Sequence, residues 1–167
     1  MYVIQVRTGS EQHTVDLFDS FVASELIEEC FVPKRELMKR VKGEWRLCRE
    51  LLFPGYVFVE TRRVRELSAA LRKVPAFARL LGNDNRFIPL TSKEADLLNA
   101  FTEGRERTLA MSEGVREGDD VRIVKGPLVD HRALVRKIDE RKRLAYVELG
   151  MFNRTTIIKV GLEIVRT

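Results

Sequence analysis

The chain has 167 residues, with 30 Lys+Arg against 25 Asp+Glu, a formal net charge of +5 and 44% hydrophobic content. That composition provides core for one ordinary domain or two small ones and excludes a disordered polypeptide. No apolar run approaches the roughly 18–20 residues of a membrane span, and Met1–Arg7 lacks the basic head and apolar stretch of a signal peptide. Cys30 and Cys48 have no Cys or His at metal-ligand spacing, which excludes a zinc ribbon or disulfide scaffold and fits a reducing cytoplasm.

In chain order, Tyr2–Val6 alternates β-formers and reads as a strand. Thr8 and Glu11 have the spacing of a capping box, and Val15, Phe18 and Val22 share a helical face with Leu17 and Phe21 beside them, so a helix is expected from Ser10 to Ser24. Cys30–Val32 is a short strand ended by Pro33. Two further segments, Leu37–Val41 and Glu44–Leu47, flank the two-residue turn Lys42-Gly43. Leu51–Val59 is a turn feeding a central strand, and Val64, Leu67, Leu71 and Val74 mark a second helix stopped by Pro75. Extended segments Phe77–Leu81 and Arg86–Ile88 surround the turn 82–85. A third helix opens at Thr91 or Ser92 with Glu94 completing a second capping box. Thr102–Gly114 is polar with two glycines and reads as a linker. Five short strands follow, Asp120–Lys125, Ala133–Ile138, Leu144–Leu149, Thr155–Val160 and Leu162–Val165, the pattern of a small SH3-like barrel.

Charge is uneven. Residues 1–114 carry 18 basic and 17 acidic side chains, whereas residues 115–167 carry 12 and 8, a net of +4. A basic small domain is the footprint of a polyanion binder. Seven more cations lie between Lys34 and Arg49; on charge alone that segment reads equally as a solvated hairpin face. His13 and His131 stand apart without metal or catalytic company, and phosphate-loop, dinucleotide and nucleophile-elbow motifs are absent, so no enzyme is expected.

Two constellations carry information. In Phe53-Pro54-Gly55-Tyr56-Val57-Phe58-Val59, proline and glycine set a tight turn at the mouth of a strand, and Tyr56 and Phe58 share one face. Those aromatics are either core or the lining of a cavity for a partner. In the last third, Val121–Val135 is strand, Gly-Pro turn, polar tip and strand, followed by Arg141-Lys142-Arg143 at a second tip. With Lys125, His131, Arg132, Arg136, Lys137 and Arg154, these form a candidate phosphate-binding rim.

The order of these elements, with Phe53–Val57, Val121–Pro127 and Met151-Phe152-Asn153-Arg154-Thr155-Thr156, resembles the NusG family of bacterial transcription elongation factors over essentially the whole chain. Within it the resemblance is closest to the specialised LoaP-type paralogues, through Lys39–Val59 and Arg154–Val165. Ala133 replaces a usual glycine, and Asn153 the glycine of a Phe-Gly-Arg loop. The resemblance implies an NGN domain over residues 1–102, a four-stranded antiparallel sheet with flanking helices; a linker over 103–114; and a KOW domain over 115–167, a five-stranded barrel. It implies docking on the RNA polymerase clamp helices through Tyr2, Phe53, Pro54, Tyr56, Phe58 and Phe77, with Arg65 and Glu66 across the channel. It places the basic hairpin, Lys39, Arg40, Lys42 and Arg46, near upstream DNA. The KOW domain is expected to hold an RNA hairpin of the nascent leader or, through Phe152, a ribosomal protein or Rho. The expected role is a processive antiterminator; a general elongation factor and a ribosome-associated RNA-binding protein are the alternatives. A cytoplasmic monomer without cofactor or metal is expected.

Overall fold

The structure, a computed structural model, describes every residue except Asp84, Asn85, Arg105, Asn153 and Thr167, and only the backbone of Asn83. Of the expected turn 82–85, Gly82 and Asn83 are in strand, while Asp84, Asn85 and the asparagine replacing the loop glycine lie outside the described residues. The elements are β1 (Tyr2–Val6), α1 (Glu11–Phe21), β2 (Glu29–Phe31), β3 (Lys34–Val41), β4 (Glu44–Leu51), β5 (Tyr56–Glu60), α2 (Val64–Leu71), β6 (Ala78–Leu80), β7 (Gly82–Asn83), β8 (Arg86–Phe87), α3 (Ser92–Phe101), β9 (Thr108–Leu109), β10 (Ser112–Glu117), β11 (Asp120–Lys125), β12 (Val135–Asp139), β13 (Leu144–Met151) and β14 (Arg154–Ile164). None of the described helices is long and apolar enough to cross a membrane. The chain divides into two compact units: Met1–Pro33 with Phe53–Ala95, and Lys34–Leu52 with Asp96–Thr167.

The first unit is built on an antiparallel sheet in the order β2-β5-β1-β6. Ile4, Val57, Phe58 and Val59 are fully buried at its centre, and Phe18, Leu67 and Leu71 bring α1 and α2 into the core. Pairing of Val3 with Phe58 and of Phe31 with Phe58 puts these side chains on one face. The first capping box does not form. Ser10 is the N-cap and makes no side-chain cap bond; Glu11, only 3% exposed, accepts hydrogen bonds from the Gly9 N–H at 2.6 Å and the Gly55 N–H at 3.3 Å. The carboxylate is drawn inward because two turn N–H groups, Gly9 after β1 and Gly55 before β5, need an acceptor. α1 also stops at Phe21 rather than Ser24, with Phe21 45% exposed instead of on the core face. At α3 the second capping box does form: Thr91 N–H donates to the Glu94 carboxylate at 3.0 Å and Glu94 N–H to the Thr91 hydroxyl at 3.1 Å.

The second unit is all strand apart from the end of α3 and a 3-10 segment, Val129–Leu134. Five strands run in the order β11-β10-β14-β13-β12. β14 is one continuous strand where the sequence suggested two: its first part pairs with β13 and its last residues run parallel to β10. The fifth strand comes instead from the expected linker, since Ser112 is fully buried and β10 pairs with β11. Ala133 lies in the 3-10 segment, so β12 begins at Val135, not Ala133. Gly126 turns at φ 99 with Ser112 Cα 2.6 Å from where a Cβ would stand, which explains the glycine of the Gly-Pro turn.

β3 and β4 form a hairpin in register from Lys34–Leu51 to Val41–Glu44. Lys42 and Gly43 both have positive φ, 52 and 83, the geometry that matches a two-residue hairpin to strand twist. By chain order this hairpin would fall in the first domain; its packing groups it with residues 96–167. β9, again from the expected linker, adds parallel to β3 and buries Leu109 completely.

Candidate functional site

In the first unit the turn 53–56 closes with Tyr56 N–H donating to the Phe53 carbonyl at 3.3 Å, Pro54 and Gly55 (φ 86) at the corners of a type II turn. Val6 N–H donates to the Gly55 carbonyl at 2.9 Å, and Glu11 holds the Gly55 N–H, so the turn is fastened to β1 and α1. The expected aromatic lining divides in two. Phe58 has no exposure and Phe53 only 4%; Phe31 and Phe53 pack on Phe58 with ring centroids 5.7 and 5.6 Å away. These two phenylalanines are core rather than open lining, because the edges around them are closed by other aromatics. Tyr2 and Tyr56 are half-buried, Pro54 is exposed and Phe77 is 51% exposed. Tyr56 stands opposite Gln5, which stands opposite Arg79, a row across three strands that leaves the core. Arg65 and Glu66 are exposed at the start of α2, with Arg63 4.0 Å from the Glu66 carboxylate.

In the second unit the cations sort by partner. Arg132 donates to the Val121 carbonyl at 3.3 Å and to Asp120 at 3.0 Å, bracing the 3-10 segment against β11. Asp120 is held below the usual carboxylate range by the Val121 N–H first and Arg132 second. Arg136 is bound to Glu148 at 2.6 Å and to the Ala133 carbonyl, and Arg143 to Glu163 at 3.3 Å. His131 packs edge-on against Phe101, centroids 4.9 Å apart, and its Nδ1 lies 3.1 Å from the Pro127 carbonyl. Each of these four expected rim residues thus has a partner within the unit. Arg141 and Lys142 project from the turn between β12 and β13, exposed and without an ion pair among the described residues. Lys125 and Arg154 are exposed, and Lys137 lies 5.6 Å from the Tyr146 ring. Phe152 sits half-buried with φ 59 in the turn before β14.

The hairpin docks on β14 in the same unit. Arg35 donates to the Lys159 carbonyl at 2.8 Å, and the Glu36 carbonyl lies 2.6 Å from the place of a Cβ on Gly161. Burial lowers the Arg35 pKa, opposed by the Glu50 charge. The Arg143 guanidinium covers Trp45 at 4.4 Å, and Arg40 lies 5.8 Å from the same ring. Lys39 is paired with Glu50 at 2.9 Å and Arg46 with Glu44 at 3.7 Å, while Lys42 is exposed at the hairpin turn.

Residues 1–99 match the family model described as NusG, transcription termination factor nusG. The chain belongs to the NusG family. Among NusG relatives, the transcription termination/antitermination protein NusG of Haemophilus influenzae is 27% identical over 95% of this chain and 89% of its own length. That of Vibrio parahaemolyticus is 30% identical over 95% and 90%. A solved structure titled "Domain interaction in Thermotoga maritima NusG" covers 96% of this chain and 92% of its own, at 21% identity and a TM-score of 0.58, a likeness of fold. Sequence reasoning about this NusG-family chain read Glu11 as a helix cap and missed Arg35, Trp45 and Lys159. The single tryptophan, set in a cationic hairpin, was the one available signal; the others act through neighbours distant in sequence.

Proposed function

We propose that the chain is a processive antiterminator of the LoaP type, riding RNA polymerase with its first unit and holding nascent leader RNA with its second. The supporting observation is the pair Arg141 and Lys142, exposed cations without an ion pair among the described residues, while Arg132, Arg136 and Arg143 are paired with Asp120, Glu148 and Glu163. Such a tip neutralises phosphates and positions RNA without reading its sequence. On the first unit, Tyr56 and Phe77, backed by the packed Phe53 and Phe58, offer anchors for the clamp helices. Arg65 and Glu66 face the other side of the channel in this reading.

The test uses the full chain. Tyr56→Ala is expected to lose co-purification with RNA polymerase while keeping RNA selected from a random pool; Arg141→Gln with Lys142→Gln is expected to do the reverse. Loss of both activities in either variant rejects the division of labour. A second reading, a general elongation factor that contacts a ribosomal protein or Rho, is favoured by the placement of Phe152 at a turn in left-handed backbone. Phe152→Ala separates the two: it abolishes partner binding in that reading and leaves RNA retention nearly intact in the first.

A further inference from the structure

The hairpin and the barrel strands bound a groove of about 570 Å³ inside the second unit, lined by six cationic side chains and a single carboxylate, Glu50. Arg35, Lys39 and Arg40 come from β3, Arg141 and Lys142 from the β12–β13 turn, and Lys159 from β14. Among the described residues, Lys39 alone of these six has an ion pair, with Glu50. The Arg35 Nε is buried with no hydrogen-bond acceptor, although its neighbouring nitrogen reaches the Lys159 carbonyl. A buried guanidinium N–H without an acceptor is costly, and it leaves the Arg35 charge in the groove wall short of partners. Trp45 lies on the same wall. Cations beside an indole suit a nucleotide, which offers both a phosphate and a flat ring; an acidic peptide would use the charge alone. The volume lies in the range of small-ligand pockets, room for a short stretch of single strand.

We infer that this groove binds a single-stranded segment of RNA, with hairpin and barrel gripping one backbone together. The inference rests on reading the second unit as RNA-binding, and it reassigns Lys39 and Arg40 from upstream DNA to RNA.

The experiment titrates the full chain with two fluorescein-labelled probes, a U-only oligonucleotide and a blunt stem–loop, following anisotropy and Trp45 emission together. Because Trp45 is the only tryptophan, its emission reports on the groove directly. The U-only probe is expected to bind and quench it. Arg40→Gln with Lys159→Gln, both exposed side chains, should weaken that binding about tenfold and reduce the log–log salt slope by about 0.7 per lost phosphate contact. Binding of the U-only probe without quenching, or with no effect of the double variant, overturns the groove. So does equal quenching by a polyglutamate peptide, which would make the occupant an acidic protein segment, or tighter binding of a T-only DNA of the same length. If the stem–loop binds and the U-only probe does not, the groove inference fails and the RNA-binding function stands. If neither binds at low salt, both fail.

Discussion

Glu11 shows how one side chain can hold a motif in place. The Phe-Pro-Gly-Tyr turn has its own local logic, yet it is Glu11 that caps the Gly55 N–H and ties the turn to α1. Glu11→Ala would leave two buried or partly buried N–H groups without their acceptor, so a loss of about 2–3 kcal/mol is expected in urea unfolding. Cys30 is a second residue-scale case. Burial first, then the Asp19 and Glu29 carboxylates, push its thiol from 9.0 up to about 12. Near neutral pH it should therefore resist iodoacetamide while Cys48 is alkylated, as peptide mapping will show. The sign for stability follows. Above pH 9.0 the unfolded chain gains by ionising this thiol while the folded chain keeps it neutral, so its contribution is intact below 9.0 and is lost toward about 12. Cys30→Ala should remove that part of the alkaline decline in the urea midpoint; an unchanged decline would assign it elsewhere.

At the scale of elements, two capping boxes of the same spacing had opposite fates. Thr91 and Glu94 meet at the start of α3, where each side chain bonds the other's backbone N–H. Thr91→Ala is expected to cost about 1 kcal/mol by thermal unfolding, the ordinary worth of a cap. Glu11 lies beside the turns that flank β1 and β5, whose N–H donors took the carboxylate. Alternation and turn chemistry made β1, β5 and the β3–β4 hairpin legible, because a period of two and a Lys-Gly turn depend on near neighbours alone. The polar composition of 102–114 misled for the complementary reason: Ser112 and Leu109 are buried beside partners far along the chain, β14 for one and β3 for the other.

For the molecule as a whole, the largest departure from chain order is the hairpin's place on the barrel. Gly161 is the hinge of that packing, since β3 passes where its side chain would be. Gly161→Val should lift the hairpin, shift Trp45 emission to the red and speed tryptic cleavage after Arg40 and Lys42; emission and cleavage like those of the unchanged chain would mean the contact carries no weight. Because the groove depends on the same docking, this variant should also lose quenching by the U-only probe.

Composition, periodicity and turn residues determined that the chain has a helix-and-sheet part followed by an all-β part, that it carries its cations in a hairpin and a late turn, and that it has an aromatic turn-and-strand unit. These are local properties, set by a residue and its near neighbours. Which cations stay free, which aromatics face outward and which strand the hairpin covers were decided only in three dimensions. Arg132 is spent on Asp120 twelve residues away and Arg35 on Lys159 across 124, and ion pairing and burial depend on distances in space that spacing along the chain does not encode.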